Sequence, residues 1–285
     1  MNAPAFGTHA LAPWRERLRL RAGRLRSVHK GLSSLVRRAA QAGTSAPFDV
    51  VNGEARLRLW PEENIADRRA FMGLSLRDPA EENAMRRAAA NAKGGVFRFV
   101  DVGANSGMYS LALARAGASR RVHGVAIEAN PIMFERLMFN LEASGVAWTL
   151  ENDGVLCVPC AVSDHNGTVR FDTSSSNLGE GRIASEGREV SARTLLSILD
   201  EAGLDRIDML KIDVEGHEVP ALAPYLENAP RERHPKVVLA ETLHDDGTLA
   251  SLMARHGYRT VASTRMDTIW ERNEKGANRG GGASA

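Results

Sequence analysis

Phe97-Arg98-Phe99-Val100-Asp101-Val102-Gly103-Ala104-Asn105-Ser106-Gly107 reads as a short apolar strand, a glycine-bearing turn and the entry to a helix that continues over 108–116. Gly103 takes the Cβ away where the backbone is expected to pass close to a ligand, and Gly107 permits a tight turn into the helix. The spacing, D-x-G-x-x-x-G, matches neither the G-x-G-x-x-G of dinucleotide sites nor the G-x-x-x-x-G-K-[ST] of a phosphate loop, which weighs against both of those cofactors.

Outward from this unit, compact apolar runs alternate with helical segments, the pattern of a sheet wound with helices on both faces. Strands are predicted at 96–102, 122–127, 155–162, 209–212 and 237–240, and helices at 108–116, 131–143, 194–202, 219–226 and 247–256. Residues 258–262 and 268–270 are expected to close the sheet as a hairpin. Upstream, 48–51 and 55–60 form a second hairpin about Asn52-Gly53, followed by a helix at 79–92.

Three regions follow: a basic, partly helical N-terminal arm and linker over 1–47, one α/β domain over 48–270, and a tail over 271–285. The tail, with Gly276 and Gly280-Gly281-Gly282, carries too little apolar surface to offset the entropy of ordering it and is expected to be disordered. The net charge of +2 hides an uneven distribution. Arg15, Arg17, Arg19, Arg21, Arg24, Arg26, Lys30, Arg37 and Arg38 face only Glu16 within the arm, so the remainder is net acidic, a poor footing for tracking nucleic acid through its phosphates. The arm suits a peripheral contact with an anionic membrane surface, a helix solvated or docked on the domain being the plainer reading. No apolar run approaches the ~18 residues of a membrane span, and no secretory stretch opens the chain, so a cytoplasmic location is expected. Cys157 and Cys160 form a C-x-x-C inside an apolar run with no helix opening behind it, which reads as two packed strand thiols.

Candidate ligand-binding residues gather where the strands end, the edge at which open α/β sheets collect their ligands. Glu128 closes the second strand, placed for its paired acceptors to hold the two ribose hydroxyls of a nucleoside. Asn130-Pro131 then starts a helix, with the proline where its missing N–H costs little. Ser163 and Asp164 follow the third strand, either as partners of an adenine amine or as ordinary turn formers.

With Asp101-Val102-Gly103-Ala104-Asn105-Ser106-Gly107, Glu128-Ala129-Asn130-Pro131, Ala161-Val162-Ser163-Asp164 and Lys211-Ile212-Asp213-Val214-Glu215-Gly216-His217-Glu218 in this order, the chain resembles the FkbM-type family of S-adenosylmethionine-dependent methyltransferases. The resemblance spans about half the chain. It implies the Rossmann-like class I methyltransferase fold, a mostly parallel seven-stranded sheet with helices on both faces, and S-adenosyl-L-methionine across the strand ends. It further implies Asp101, Gly103, Asn105 and Gly107 around the methionine half of the donor, Glu128 at the ribose, and Ser163 and Asp164 near the adenine. Methyltransferases at large carry glycine where this chain has Asn105, although the FkbM pattern accepts asparagine. The basic arm lies outside the shared region.

Methyl transfer to a hydroxyl needs alignment and a group to take the proton. The end of the fourth strand supplies Lys211, Asp213, Glu215 and His217. Period-two geometry puts Lys211 and Asp213 on one side, able to pair, and Asp213 is the first choice for base or acceptor-binding carboxylate. Glu241 and His244 end the next strand. Asp213, Glu241 and His244 offer donors for a divalent cation, but without compact ligand spacing they read as acceptor contacts and no metal is predicted. The polar stretch 174–182, with Asn177 and Arg182, is either a substrate-gating loop or a plain connection. The expected reaction is O-methylation of a sugar, polysaccharide precursor or secondary metabolite. The alternatives are a nicotinamide-dependent oxidoreductase on a similar sheet, or a catalytically silent S-adenosylmethionine-binding module. A nucleic-acid N-methyltransferase is disfavoured, because the N/D-P-P-Y/F type of motif is missing after the fourth strand.

Overall fold

The computed structural model describes residues 3–75, 77–147, 153–175, 177–243 and 245–273. Two helices, α1 (Pro13–Leu25) and α2 (Lys30–Gln41), precede a hairpin of β1 (Phe48–Asn52) and β2 (Ala55–Leu59). Then come α3 (Ile65–Phe71), α4 (Pro79–Ala90), β3 (Val96–Val102), α5 (Met108–Ala116), β4 (Arg121–Ile127), α6 (Pro131–Ala143) and β5 (Val155–Val158). Four short strands follow, β6 (Ala161–Val162), β7 (Gly167–Asp172), β8 (Arg182–Ile183) and β9 (Arg188–Arg193). The chain finishes with α7 (Leu195–Glu201), β10 (Met209–Ile212), α8 (Glu218–Asn228), β11 (Val237–Glu241), α9 (Thr248–Arg255), β12 (Tyr258–Ser263) and β13 (Asp267–Arg272).

The central sheet has seven strands in the order β12-β13-β11-β10-β3-β4-β5. The five strands from β11 to β5 run parallel, and β13 pairs antiparallel with β11 and with β12. This is the class I methyltransferase fold that the resemblance implied. Strand order reverses between β3 and β10, so the crevice for a ligand opens at their carboxyl ends.

Alternation along the strands divides the core into two layers. Phe97, Phe99, Met209, Leu239 and Ile269 point to the layer holding the hairpin, α4, α5 and α6. Val100, Val102, Leu210, Ile212, Val238 and Ala240 point to α7, α8 and α9. Each fully buried side chain of this size contributes roughly 1.5–3 kcal/mol, and the period of two fixes which face every polar residue at the strand ends occupies.

Two expectations need correction. Residues 155–162 are not one strand: Pro159 has no N–H for a ladder, the chain breaks there, and β6 joins a separate four-stranded sheet ordered β6-β9-β7-β8. In the stretch 174–182, read as a gating loop or a plain connection, Asn177 caps a short 3-10 turn at Leu178–Glu180 and Arg182 enters β8. Glu271 and Arg272, assigned to a disordered tail, pair with Val237 and Tyr258; the rest of that tail, from 274, lies outside the described residues.

The arm is part of the same packed body. Arg19 is fully buried, donating to the carbonyls of Val51 (3.1 Å) and Phe71 (3.0 Å), to Asn52 Oδ1 (3.0 Å) and to Glu16. Arg58 holds the first residues, bonding Asp49 and the carbonyls of Pro4 and Ala5, while Asp49 accepts from the Gly7 and His9 N–H groups. Burying a guanidinium is tolerable only because its donors are satisfied in this way. Among the described residues no helix is long and apolar enough to cross a membrane.

Candidate active site

A cleft opens at the carboxyl ends of β3, β4 and β10, walled by Gly103, Asn105, Glu128 and Met133 on one side and by Asp213 and His217 on the other. Its far end is apolar, made by Val162 with Phe171, Leu178 and Ile183 from the second sheet and the turn it carries.

The glycine turn is dictated by packing. At Gly103, with φ +75°, a Cβ would stand 1.9 Å from the carbonyl oxygen of Asp213, so the close approach is to the neighbouring strand end rather than to a ligand. At Gly107, with φ +87°, a Cβ would meet Leu137 Cδ1 at 2.8 Å as α6 crosses the start of α5. Asn105 is left-handed at φ 52°, a conformation asparagine tolerates; its Oδ1 accepts from Asn64 Nδ2 and from the Ser106 N–H, each at 2.7 Å.

Glu128 is the fixed polar point of the cleft. Its Oε2 accepts from the Asn105 N–H at 2.7 Å and its Oε1 from the Asn130 N–H at 2.8 Å, which ties the β3 turn to the start of α6. Burial pushes its carboxyl up to about 7, against the pull of these two amides. Each oxygen retains a lone pair for a hydroxyl of a ligand.

Other predicted donor residues sit elsewhere. Asp101 is fully buried behind the turn, accepting from Ser110 Oγ at 2.6 Å with its second oxygen 3.9 Å from Lys211 Nζ; it is absent from the cleft wall. Buried Ser163 lies 3.2 Å from His217 Nε2 and donates to Asp164 Oδ1. The Asp164 carboxylate is largely exposed, held low by its bond to His165, and does not line the cleft. His217 precedes α8 and faces this end of the cleft, with burial lowering its pKa. Cys160 lines the cleft and Cys157 is half-buried; burial raises their thiols to about 11 and about 12, as suits inert packed groups.

Beside the cleft, the period of two brings Asp101, Lys211, Asp213, Glu241 and Asp267 to the α4–α5 face of four adjacent strands. Lys211 Nζ is 3.2 Å from Asp213 Oδ2, the pairing the spacing predicted, and 5.0 Å from the Tyr109 ring centre. Carboxylate oxygens of Asp213, Glu215 and Glu241 lie within 4.8 Å of one another. Burial first, then mutual repulsion among these groups, raises Glu215 to about 7 and Glu241 to about 8; burial and the nearby Glu81 raise Asp267 to about 7. Tyr109 donates to Glu81 Oε2 at 2.7 Å at the edge of this group. Glu215 is left-handed at φ 53°, and Glu218 steadies its turn by accepting from the Val214 N–H at 3.0 Å. His244 lies outside the described residues.

Sequence reasoning missed Asn64, Tyr109, Glu81 and Asp267. Tyr109, the one aromatic of its helix and two residues after Gly107, was the available signal. Glu81 and Asp267 carry none, since only the fold brings them to Tyr109 and Lys211.

The donor cleft fits a sulfonium nucleoside. It has a carboxylate for vicinal hydroxyls, apolar walls for a flat base, and at its other end Asp213, beside the only cation of the carboxylate group among the described residues.

Residues 101–273 match the model of the Methyltransferase FkbM domain. Among curated proteins, the chain is 28% identical over 219 residues to the AMB antimetabolite synthetase AmbE of Pseudomonas aeruginosa, a match covering 62% of this chain and 10% of that protein. Among solved structures it is similar to the methyltransferase FkbM of Methylobacillus flagellatus KT, with 20% identity, a TM-score of 0.46, and 62% of this chain and 44% of that one covered. It is also similar to a SAM-dependent methyltransferase of Agrobacterium tumefaciens, with 12% identity, a TM-score of 0.46, and 82% and 73% covered. The chain thus spans a tenth of the curated relative and under half of the first of these structures.

Proposed function

For a chain that belongs to the FkbM family of S-adenosylmethionine-dependent methyltransferases, we propose O-methylation of a neutral, hydroxyl-rich acceptor, such as a sugar, a polysaccharide precursor or a secondary metabolite. The observation that carries this reading is the double position of Asp213, which lines the donor cleft and belongs to the carboxylate group beside it. A methyl acceptor reaching the donor must therefore sit against Asp213, Glu215 and Glu241.

In this reading Glu128 holds the ribose hydroxyls, the Gly103–Gly107 turn flanks the methionine half, and Val162, Phe171 and Ile183 enclose the base. The donor, when bound, supplies an electrophilic methyl carbon that passes to the acceptor oxygen as the C–S bond breaks and sulfur keeps the electron pair. The hydroxyl proton goes to the carboxylate set, with Asp213 as its reaction-side member. Carboxyls raised to about 7 and about 8 are better bases near neutrality than an ordinary carboxylate, and a positioned base contributes about 10²–10⁴-fold. Lys211 pairs with Asp213 and aims it. His217 faces the far end of the cleft and is assigned to donor contact instead.

A wall of carboxyls with Lys211 as its one cation among the described residues offers partners for hydroxyls and little to hold a phosphate, which also sets nucleic acid aside as acceptor. The test is transfer of labelled methyl from S-adenosylmethionine to a panel of neutral saccharides, sugar phosphates and hydroxylated metabolites. The expected product is a methyl ether on a neutral acceptor; label on nitrogen, or a preference for phosphorylated acceptors, overturns the assignment. Tight donor binding with no transfer to any cell extract would make the chain a silent binding module.

A further inference from the structure

We propose that the outward side of the α1–α2 pair is a docking surface for an anionic lipid bilayer. The arm spends only part of its charge on the fold. Arg15 bonds the Ala40 carbonyl at 3.0 Å, Arg19 is buried against the hairpin and α3, and Arg37 pairs with Glu62 and Gln41. Arg17, Arg21, Arg24, Arg26, Lys30 and Arg38 are exposed, and none is paired with a carboxylate among the described residues.

Apolar side chains accompany these cations where solvent would not hold them. In α2 the usual amphipathic order is inverted: Ser33, Arg37 and Ala40 are buried, while Leu32 (43% exposed), Leu35 (64%) and Ala39 recur at a spacing of three and four on the open side. Val28, 84% exposed, continues the row into the turn between the helices. On α1, Trp14, 52% exposed, leads the helical row Arg17, Arg21 and Arg24.

Cations draw the surface to anionic headgroups, leucines gain by entering the acyl boundary, and an indole suits the interface between them. Phosphates of a nucleic acid would use the cations but give Leu32, Leu35 and Val28 nothing to bury against. A second copy of the chain would oppose six unpaired cations to six more. Since Arg19 and Arg37 lock the helices to the domain, the surface is presented ready-made, without ordering on contact.

Sedimentation of the full chain with phosphatidylcholine vesicles, and with vesicles containing ~30% phosphatidylglycerol, tests the proposal. Binding only to the anionic vesicles, weakening as salt rises, is expected. Arg21→Gln with Arg24→Gln should weaken it about 25-fold, given the contribution of each basic residue near such a surface. Leu32→Asp with Leu35→Asp should also release the protein, with S-adenosylhomocysteine affinity unchanged in both variants as the check on folding. Equal sedimentation with both vesicle types, or undiminished binding by either variant, overturns the proposal. So does tighter capture by duplex DNA that the leucine changes leave intact.

Discussion

Glu128 and Glu241 both end parallel strands, and each is 8% exposed with a carboxyl pushed above its ordinary range. Their surroundings differ. Glu128 accepts from two backbone amides that fix both oxygens. Glu241 accepts from no described residue and faces Asp213 and Glu215 instead. Equal burial therefore yields two different carboxyls: one whose oxygens are both oriented by backbone amides, and one left with unmet proton affinity among its neighbours.

The sharpest way to break the comparison is to remove the charge at the reactive end. Asp213→Asn or Glu241→Gln should lower the turnover of methyl transfer by about 10²–10⁴-fold. For Glu241→Gln, titration calorimetry with S-adenosylhomocysteine should return an unaltered affinity; a loss of binding in place of turnover would move Glu241 to the donor side. Glu128→Ala should do the reverse, weakening the donor by roughly 10²-fold for two charge-assisted hydroxyl bonds at about 1.5 kcal/mol each. A full-strength donor affinity in that variant would dismiss Glu128 as the ribose anchor.

A smaller effect lies in stability. Folded-state carboxyls at about 7 and about 8 bind protons that the unfolded chain, near 4.5, has already released. Stability contributed by protonated Glu215 and Glu241 is present at low pH and declines as pH rises through about 7 and 8. Melting temperature should therefore fall between about pH 5 and pH 8, and Glu241→Gln should flatten that slope. An identical slope in the variant would show that the group is not strained by its neighbours. The smallest expected effect is that of a chelator: with protons and Lys211 neutralising Asp213, Glu215 and Glu241, EDTA should leave methyl transfer unaltered, and a large loss would reassign the three carboxylates to a divalent cation.

Much of the cleft was legible because its signals are local. A strand, a turn at Gly103 and a helix after Gly107 occupy contiguous residues, and Glu128 closes the next strand by the same logic. The pairing of Lys211 with Asp213 followed from a two-residue period. Local reading failed where a long-range contact decided the outcome. Pro159 split an apolar run between two sheets, α3 was passed over, and Asp101 turned inward to Ser110 and Lys211. The arginines of the arm looked alike in sequence, yet Arg19 became a buried anchor while Arg21 and Arg24 remained in solvent.

By itself the sequence determined the alternation of strands and helices, the glycine turn after the first core strand, and the family, because these depend on residue spacing over a few positions. Only the tertiary structure decided that Glu81, Tyr109, Asp213, Glu241 and Asp267 share one face, and that Gly103 is required by the Asp213 carbonyl. Strand order and register set which distant side chains become neighbours, and carboxyl affinity for protons depends on those neighbours and on burial, neither of which is written in any contiguous stretch of the chain.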